Sequence, residues 1–283
     1  MAKQFTVSGF SDEITADIIG QFEGLKKLGV SFFEPRMIGG KNIIDLDDAE
    51  VADLKALMEK YGIRASSVGS PLGKIGIDDD FEAHYQKFTR AVDICRALDC
   101  RYIRMFSFFV KEEEADSRTE DVIGKLSRMV SYAESKDVIL LHENEKGIYG
   151  NIARRCKVLF ERIVSPCFKA VFDFSNFVEC RQDTWQAYEL LKPYIAYIHI
   201  KDCIAAGGVV PIGHGEGNAK AILTALYQSG FNGYVSLEPH LTGYALPSGK
   251  TCGGFVMSFD EGAPRKFAYA HKELISLLAE IEK

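Results

Sequence analysis

The sequence predicts an α/β fold, a single (β/α)8 barrel running through residues 1–283 without a domain break. Three observations predict it. Short apolar runs rich in β-branched and aromatic residues alternate with amphipathic segments from end to end. Eight such runs occur at regular spacing. No glycine-rich phosphate loop follows the first of them. The runs cover 5–10, 30–34, 63–68, 102–106, 138–143, 168–173, 195–200 and 234–238. Their starts lie 25, 33, 39, 36, 30, 27 and 39 residues apart. Each interval holds one strand, one helix and two loops. Eight parallel strands joined by right-handed crossovers close into a barrel. An open doubly wound sheet is the competing fold, and its first strand normally leads into a Gly-rich loop. Here that strand ends Ser8-Gly9-Phe10-Ser11-Asp12-Glu13, which is no such motif.

The connecting segments read as helices over 17–28, 47–61, 81–98 and 219–228, among others. Gly29, Gly62 and Gly230 follow helical stretches and mark helix ends. Two loops are long for a compact barrel, 35–46 and 239 to about 265. Both fall on the face where such folds carry their chemistry, so they are expected to act as binding segments or lids.

Composition narrows the class. With 47% hydrophobic and 26% charged residues the chain is an ordinary globular one, not disordered or fibrous. A formal net charge of −6 gives no global basic footprint for nucleic acid. No apolar run approaches bilayer length, and residues 1–5 carry no secretory signal. The expectation is a soluble cytoplasmic protein with no nucleic-acid or membrane partner. The 7 cysteines are scattered and form no Cys-x-x-Cys pair, which fits reduced thiols packed as small hydrophobes. Barrels of this kind often form homo-oligomers, but no interface is legible.

The chemistry lies in strands five to eight. They end in Glu143, Asp173, His199 and Glu238 respectively, the histidine being followed by Ile200. A carboxylate or imidazole at the end of an apolar strand is costly unless something there uses it. Four on consecutive strands, all at the catalytic end, exceed what packing or salt bridges under loops would require. Three carboxylates and one imidazole suit one divalent metal ion, with Mn2+ or Mg2+ favoured and Co2+ or Zn2+ as alternatives. Strand alternation turns Glu143 inward with Leu141 and sends His142 to the helices, as a packed or hydrogen-bonded histidine. Glu145 shares the parity of Glu143 beyond the strand. His84 and His271 sit in helical stretches and are expected at the surface.

In these strand ends the sequence resembles the xylose-isomerase-like barrel superfamily. That group includes sugar-phosphate isomerases and epimerases, ketose 3-epimerases, inosose dehydratases and metal-dependent apurinic endonucleases. The matching stretches are Leu141-His142-Glu143-Asn144, Phe172-Asp173-Phe174-Ser175-Asn176, Tyr197-Ile198-His199-Ile200-Lys201-Asp202, Gly215-Glu216-Gly217 and Ser236-Leu237-Glu238-Pro239. The resemblance implies metal ligation by Glu143, Asp173, His199 and Glu238. It also implies that Glu143 and Glu238 exchange the substrate proton from opposite faces. The endonuclease branch needs further histidines on strands three and four and three residues after the strand-six aspartate. Here those stretches are Ser66-Ser67-Val68-Gly69-Ser70-Pro71 and Arg104-Met105-Phe106-Ser107, and residue 176 is asparagine.

Glu34, Arg36, Lys74, Arg104, Asn176, Lys201, Asp202, His214, Glu216 and His240 are the substrate-facing candidates. The cations among them could hold a phosphate, a carboxylate or sugar hydroxyls. The expected activity is metal-dependent isomerisation or epimerisation of a small sugar, sugar phosphate or polyol, by proton transfer beside a carbonyl. The alternative is a metal-dependent lyase or dehydratase on a keto-inositol or 3-keto-glycoside. A barrel that binds sugar without turnover is the third reading.

Overall fold

In a computed structural model of the chain, the structure describes residues 4–246, 251–252, 255–256 and 262–283. Parallel strands β1 (Phe5–Gly9), β4 (Tyr102–Met105), β5 (Ile139–Glu143), β6 (Phe168–Asp173), β7 (Ile195–Ile200) and β8 (Gly233–Leu237) join a short segment, Val68–Gly69, in one seven-stranded sheet. Its order is β1-β8-β7-β6-β5-β4-(68–69). The ring closes through β2 (Phe32–Phe33), which pairs in parallel with Arg64–Ala65. Strand β3 is thus two pieces, Arg64–Ala65 facing β2 and Val68–Gly69 facing β4. Across the other seam the Glu34 amide donates to the Gly9 carbonyl at 2.9 Å. The expected barrel is therefore present, with strands two and three shorter than their apolar runs.

Helices α1 (Ile18–Lys27), α2 (Asp48–Tyr61), α3 (Phe81–Ala97), α4 (Thr119–Ser135), α5 (Ala153–Arg162), α6 (Phe174–Glu179), α7 (Thr184–Leu191), α8 (Ala219–Gln228) and α9 (Gly262–Ile281) surround the strands. Local chemistry sets their ends. Asp47 and Glu50 form a reciprocal capping box at the start of α2, and Gly62 ends it in the left-handed conformation at φ 66°. Gly29 and Gly230 take the same role at φ 72° and 80°. The 35–46 loop is ordered as a small hairpin, Met37–Ile38 against Lys41–Asn42, followed by a 3-10 turn at Ile43–Asp45. Much of the second long loop, 247–250, 253–254 and 257–261, lies outside the described residues.

The core divides by strand parity. Leu141, Val171 and Tyr197 pack with one another inside the barrel. Outward-facing strand residues such as Phe168, Phe172 and Ile198 pack in the large cluster shared with the helices. His142 is one of the outward set. It is buried, its ring meets Phe160 and Phe168 edge-on, and its Nε2 lies 2.9 Å from Ser107 Oγ. Burial lowers its pKa to about 4. His84 departs from the surface position expected of it. It is buried at the start of α3, where its Nε2 accepts the Gly73 amide at 2.9 Å, because the 69–76 segment folds over it. His271 is half-buried on α9. Cys95, Cys100, Cys156, Cys167 and Cys203 are buried free thiols and Cys180 is half-buried; the Cys252 side chain lies outside the described residues. Among the described residues no helix is long and apolar enough to cross a membrane.

Candidate metal centre

The inward alternation of β5 to β8 brings Glu143, Asp173, His199 and Glu238 together at one end of the barrel. Each offers a ligand atom within 4.8 Å of the others, and all four residues are buried. His199 Nδ1 lies 2.9 Å from Glu143 Oε1 and 3.6 Å from Glu238 Oε2. Asp173 is held from two sides. Its Oδ1 accepts the Asn176 amide at 2.8 Å, capping α6. Its backbone exchanges two hydrogen bonds with the Asn144 side chain, both 3.0 Å. Its Oδ2 is buried without a hydrogen bond, though Lys201 Nζ stands 3.0 Å away as an ion-pair contact.

Cations divide the two glutamates in the same way. Glu143 turns Oε1 to His199 and Oε2 to Arg104 Nη1, 3.1 Å away. Glu238 turns Oε2 to Lys201 Nζ at 3.3 Å and Oε1 to Arg36 Nη1 at 3.0 Å. Both arginines rest on one ring: the guanidinium carbons of Arg36 and Arg104 lie 4.5 and 5.2 Å from the centroid of Phe10, whose edge meets His199. Arg36 is also tied to Asp12 at 2.9 Å.

These neighbours set the protonation. Burial would raise the Glu143 carboxyl, but His199 and Arg104 outweigh it and bring its pKa down to about 2. Burial likewise works against Glu238, which Lys201, His240 and His199 hold well below the usual carboxylate range. Burial raises Asp173 to about 7 against the pull of Lys201, with Glu143 and Glu238 adding repulsion. Burial opposes the charge on His199 too, yet Glu143 and Glu34 raise it to about 10. A divalent cation fits this donor set. Three crowded carboxylates need positive charge, an aspartate oxygen lacks a hydrogen bond, and one imidazole nitrogen faces the same point.

A cavity of about 190 Å³ opens beside the cluster, lined by Arg36, Lys74, Arg104, Lys201, Glu145, Glu238 and His240 with Asn42, Gly69, Pro71 and Phe106. Lys74 pairs with Glu145 at 3.1 Å and lies over the Phe106 ring. His240 bridges Glu13 at 2.9 Å and Glu238 at 3.4 Å.

Five other substrate candidates lie elsewhere. Asn176 is buried between ligands, donating to Glu143 Oε1 at 3.3 Å and to the Asn144 carbonyl at 2.8 Å. Glu34 lies behind His199, because β2 ends on the far side of the imidazole. Asp202 turns away from the cavity and accepts the amides of Cys203, Gly213, Gly215 and Gly217 at 2.9 to 3.1 Å. His214 pairs with Glu273 of α9 at 3.1 Å, and Glu216 is exposed. Sequence reasoning passed over Phe10, Asn144, Tyr197 and Ser236. The last two were findable, each lying two residues before a ligand on the same strand face.

The chain matches the family model for xylose isomerase-like TIM barrels over residues 22–250, and it belongs to that family. No curated protein matches the sequence. Among solved structures it is similar to the IolI protein with a bound zinc atom, at a TM-score of 0.79 and 15% identity, covering 98% of this chain and 99% of that one. A D-tagatose 3-epimerase-like protein gives 0.76 and 15%, covering 98% of each chain. The probable 3-DHS dehydratase AsbF from Bacillus anthracis gives 0.69 and 14%, covering 96% of this chain and 99% of that one.

Proposed function

We propose that the protein is a divalent-metal-dependent isomerase or epimerase of a small sugar, sugar phosphate or polyol. The observation that carries this reading is the matched division of Glu143 and Glu238, each giving one oxygen to the cluster and the other to an arginine of the cavity wall. Glu143, Asp173, His199 and Glu238 would hold the ion, with Mn2+ or Mg2+ favoured by the three carboxylates. When bound, such an ion supplies Lewis acidity to a carbonyl and its neighbouring hydroxyl. The chain's own part is to move the proton. One glutamate takes it from the carbon beside the carbonyl, and its counterpart returns it to the opposite face. Arg36, Arg104, Lys74 and His240, which line the cavity, orient the hydroxyls.

The runner-up is a lyase or dehydratase on a keto-inositol or 3-keto-glycoside. It shares the first proton abstraction, and the likeness to AsbF keeps it in view. In that reading His240, on the cavity wall 3.4 Å from Glu238, would protonate a departing hydroxyl. Cytoplasmic location accords with either reading, and small carbohydrates are the expected partners.

The test is to load the protein with Mn2+ and incubate it with ketoses and keto-inositols in D2O. Deuterium at the carbon beside the carbonyl of an epimer or isomer supports the proposal. Loss of water from the product selects the lyase. No turnover of any member by metal-loaded protein counts against both.

A further inference from the structure

Glu34 is as deeply buried as the cluster it stands behind, with a side chain 0% exposed. It follows β2, and its Oε2 accepts Tyr197 OH at 2.9 Å and Ser236 Oγ at 2.7 Å. The same oxygen lies 3.3 Å from His199 Nε2 as an ion-pair contact, and Nε2 itself makes no hydrogen bond, while His199 Nδ1 faces Glu143 and Glu238. The arrangement is braced from below. Tyr197 OH also meets Ser66 Oγ at 2.8 Å, and Ser66 Oγ lies 2.6 Å from Ser8 Oγ and donates to the Phe33 carbonyl at 3.0 Å. Groups from five strands thus fix one carboxylate whose Oε1 has no hydrogen bond at all. Such a buried charge is costly where packing alone is wanted.

We propose that Glu34 is the positioning residue of His199: facing Nε2, it holds the proton on that nitrogen and leaves Nδ1 as the one to give its lone pair to a cation held with Glu143, Asp173 and Glu238. Nδ1 has Glu143 Oε1 as its own acceptor at 2.9 Å; a cation among the carboxylates needs the Nδ1 lone pair, so the single proton of the neutral imidazole then needs an acceptor at Nε2, which Glu34 supplies. Without Glu34 the proton is free to occupy Nδ1 and would point into the cluster. The carboxylate also raises the basicity of the nitrogen on the opposite side of the ring. The rings of Phe10 and Tyr197 meet the imidazole edge-on at 5.2 and 5.8 Å, so rotation cannot easily substitute for tautomer choice.

This inference rests on the metal-centre reading, and one experiment separates the two. Mn2+ affinity is measured by calorimetry on chelator-stripped wild type, Glu34→Gln, Glu34→Leu and Tyr197→Phe. Loss of the orienting carboxylate should weaken binding by roughly 10- to 100-fold in Glu34→Leu and by about tenfold in Glu34→Gln. Tyr197→Phe should weaken it less, because Ser236 still donates to Glu34. Imidazole 15N shifts of the Mg2+- or Zn2+-loaded wild type should show His199 protonated at Nε2. Folded Glu34 variants with unchanged affinity, or a loaded His199 protonated at Nδ1, would overturn the assignment. A purely packing role would lower the melting temperature and leave affinity alone. If the Glu34 variants do not fold, Tyr197→Phe and Ser236→Ala decide it, weaker binding supporting the assignment and unchanged binding overturning it. Wild type that binds no divalent ion overturns the metal centre itself.

Discussion

Lys201 Nζ stands 3.0 Å from Asp173 Oδ2, the one cluster oxygen that is buried without a hydrogen bond. The same ammonium reaches Glu238 Oε2 at 3.3 Å, so a tethered cation already answers two of the three carboxylates.

A divalent ion should therefore compete with Lys201. Lys201→Met is expected to bind Mn2+ at least as tightly as wild type. Its chelator-treated form should lose roughly 3–5 kcal/mol in urea unfolding, since two buried carboxylates lose their partner. Added ion should then restore more stability to the variant than to wild type. Weaker Mn2+ binding by the variant would show that the ammonium assists the ion instead of standing in for it.

Glu143→Gln and Glu238→Gln should each lower turnover by about 10²–10⁴-fold, the span that a positioned acid or base supplies. Arg104 and Arg36 keep a carbonyl oxygen to bond in these variants, so folding should survive. The measurement is kcat on the substrate found by the D2O screen, alongside bound metal by elemental analysis. Near-normal turnover in a metal-replete Glu238→Gln enzyme would remove it as a base and favour elimination with one carboxylate.

Lys74→Ala should raise KM and leave kcat nearly unchanged, because Lys74 touches Glu145 and the Phe106 ring and makes no contact with the cluster. A fall in kcat at constant KM would place Lys74 in the chemistry.

His84 makes folding pH-dependent near this loop. Its pKa is lowered to about 4, first by burial and then by Lys87 and Lys125, and its Nε2 is occupied by the Gly73 amide. The unfolded chain takes up this proton below about pH 6.5. Stability from His84 is thus complete above that pH and is lost as the pH falls toward 4, by at most about 1.4 kcal/mol per pH unit for one proton. Urea midpoints followed from pH 7 to 4.5 should fall more steeply in wild type than in His84→Gln. Parallel profiles would mean that the histidine is protonated without strain.

Gly215→Ala and Gly217→Ala should each cost roughly 1–3 kcal/mol, the usual penalty for overfilling a packed site. A methyl group at residue 217 would lie 2.7 Å from Asp202 Oδ1, and one at 215 closer still. Melting temperatures test this, and an unchanged value would show that the 203–218 loop can lift away.

What was legible in the sequence follows from geometry. Glu143, Asp173, His199 and Glu238 could be found because parity and strand ends are local properties, and the barrel only brings them together. Glu34 ends a strand just as visibly, but whether it faces a substrate or the back of an imidazole depends on where β2 closes against β1. Asp202 follows the ligand strand closely and still misses the cavity, because four amides from distant parts of one loop capture it. His84 lies in a polar helical stretch, and only the return of residues 69–76 buries it. Each misplacement turned on a loop or strand contact that strand parity does not fix, close in sequence for His84 and Asp202 and distant for Glu34.

Asp173 serves two masters. With Oδ1 already accepting from the first turn of α6, Oδ2 is the oxygen left without a hydrogen bond for a cation, and the Asn176 backbone amide becomes a reporter of whatever happens there. An ion drawing charge toward Oδ2 would register as altered exchange protection at Asn176, in a protein whose candidate centre is otherwise spectroscopically silent with Mg2+. A variant that frays α6 should, by the same linkage, leak metal without any ligand having been changed.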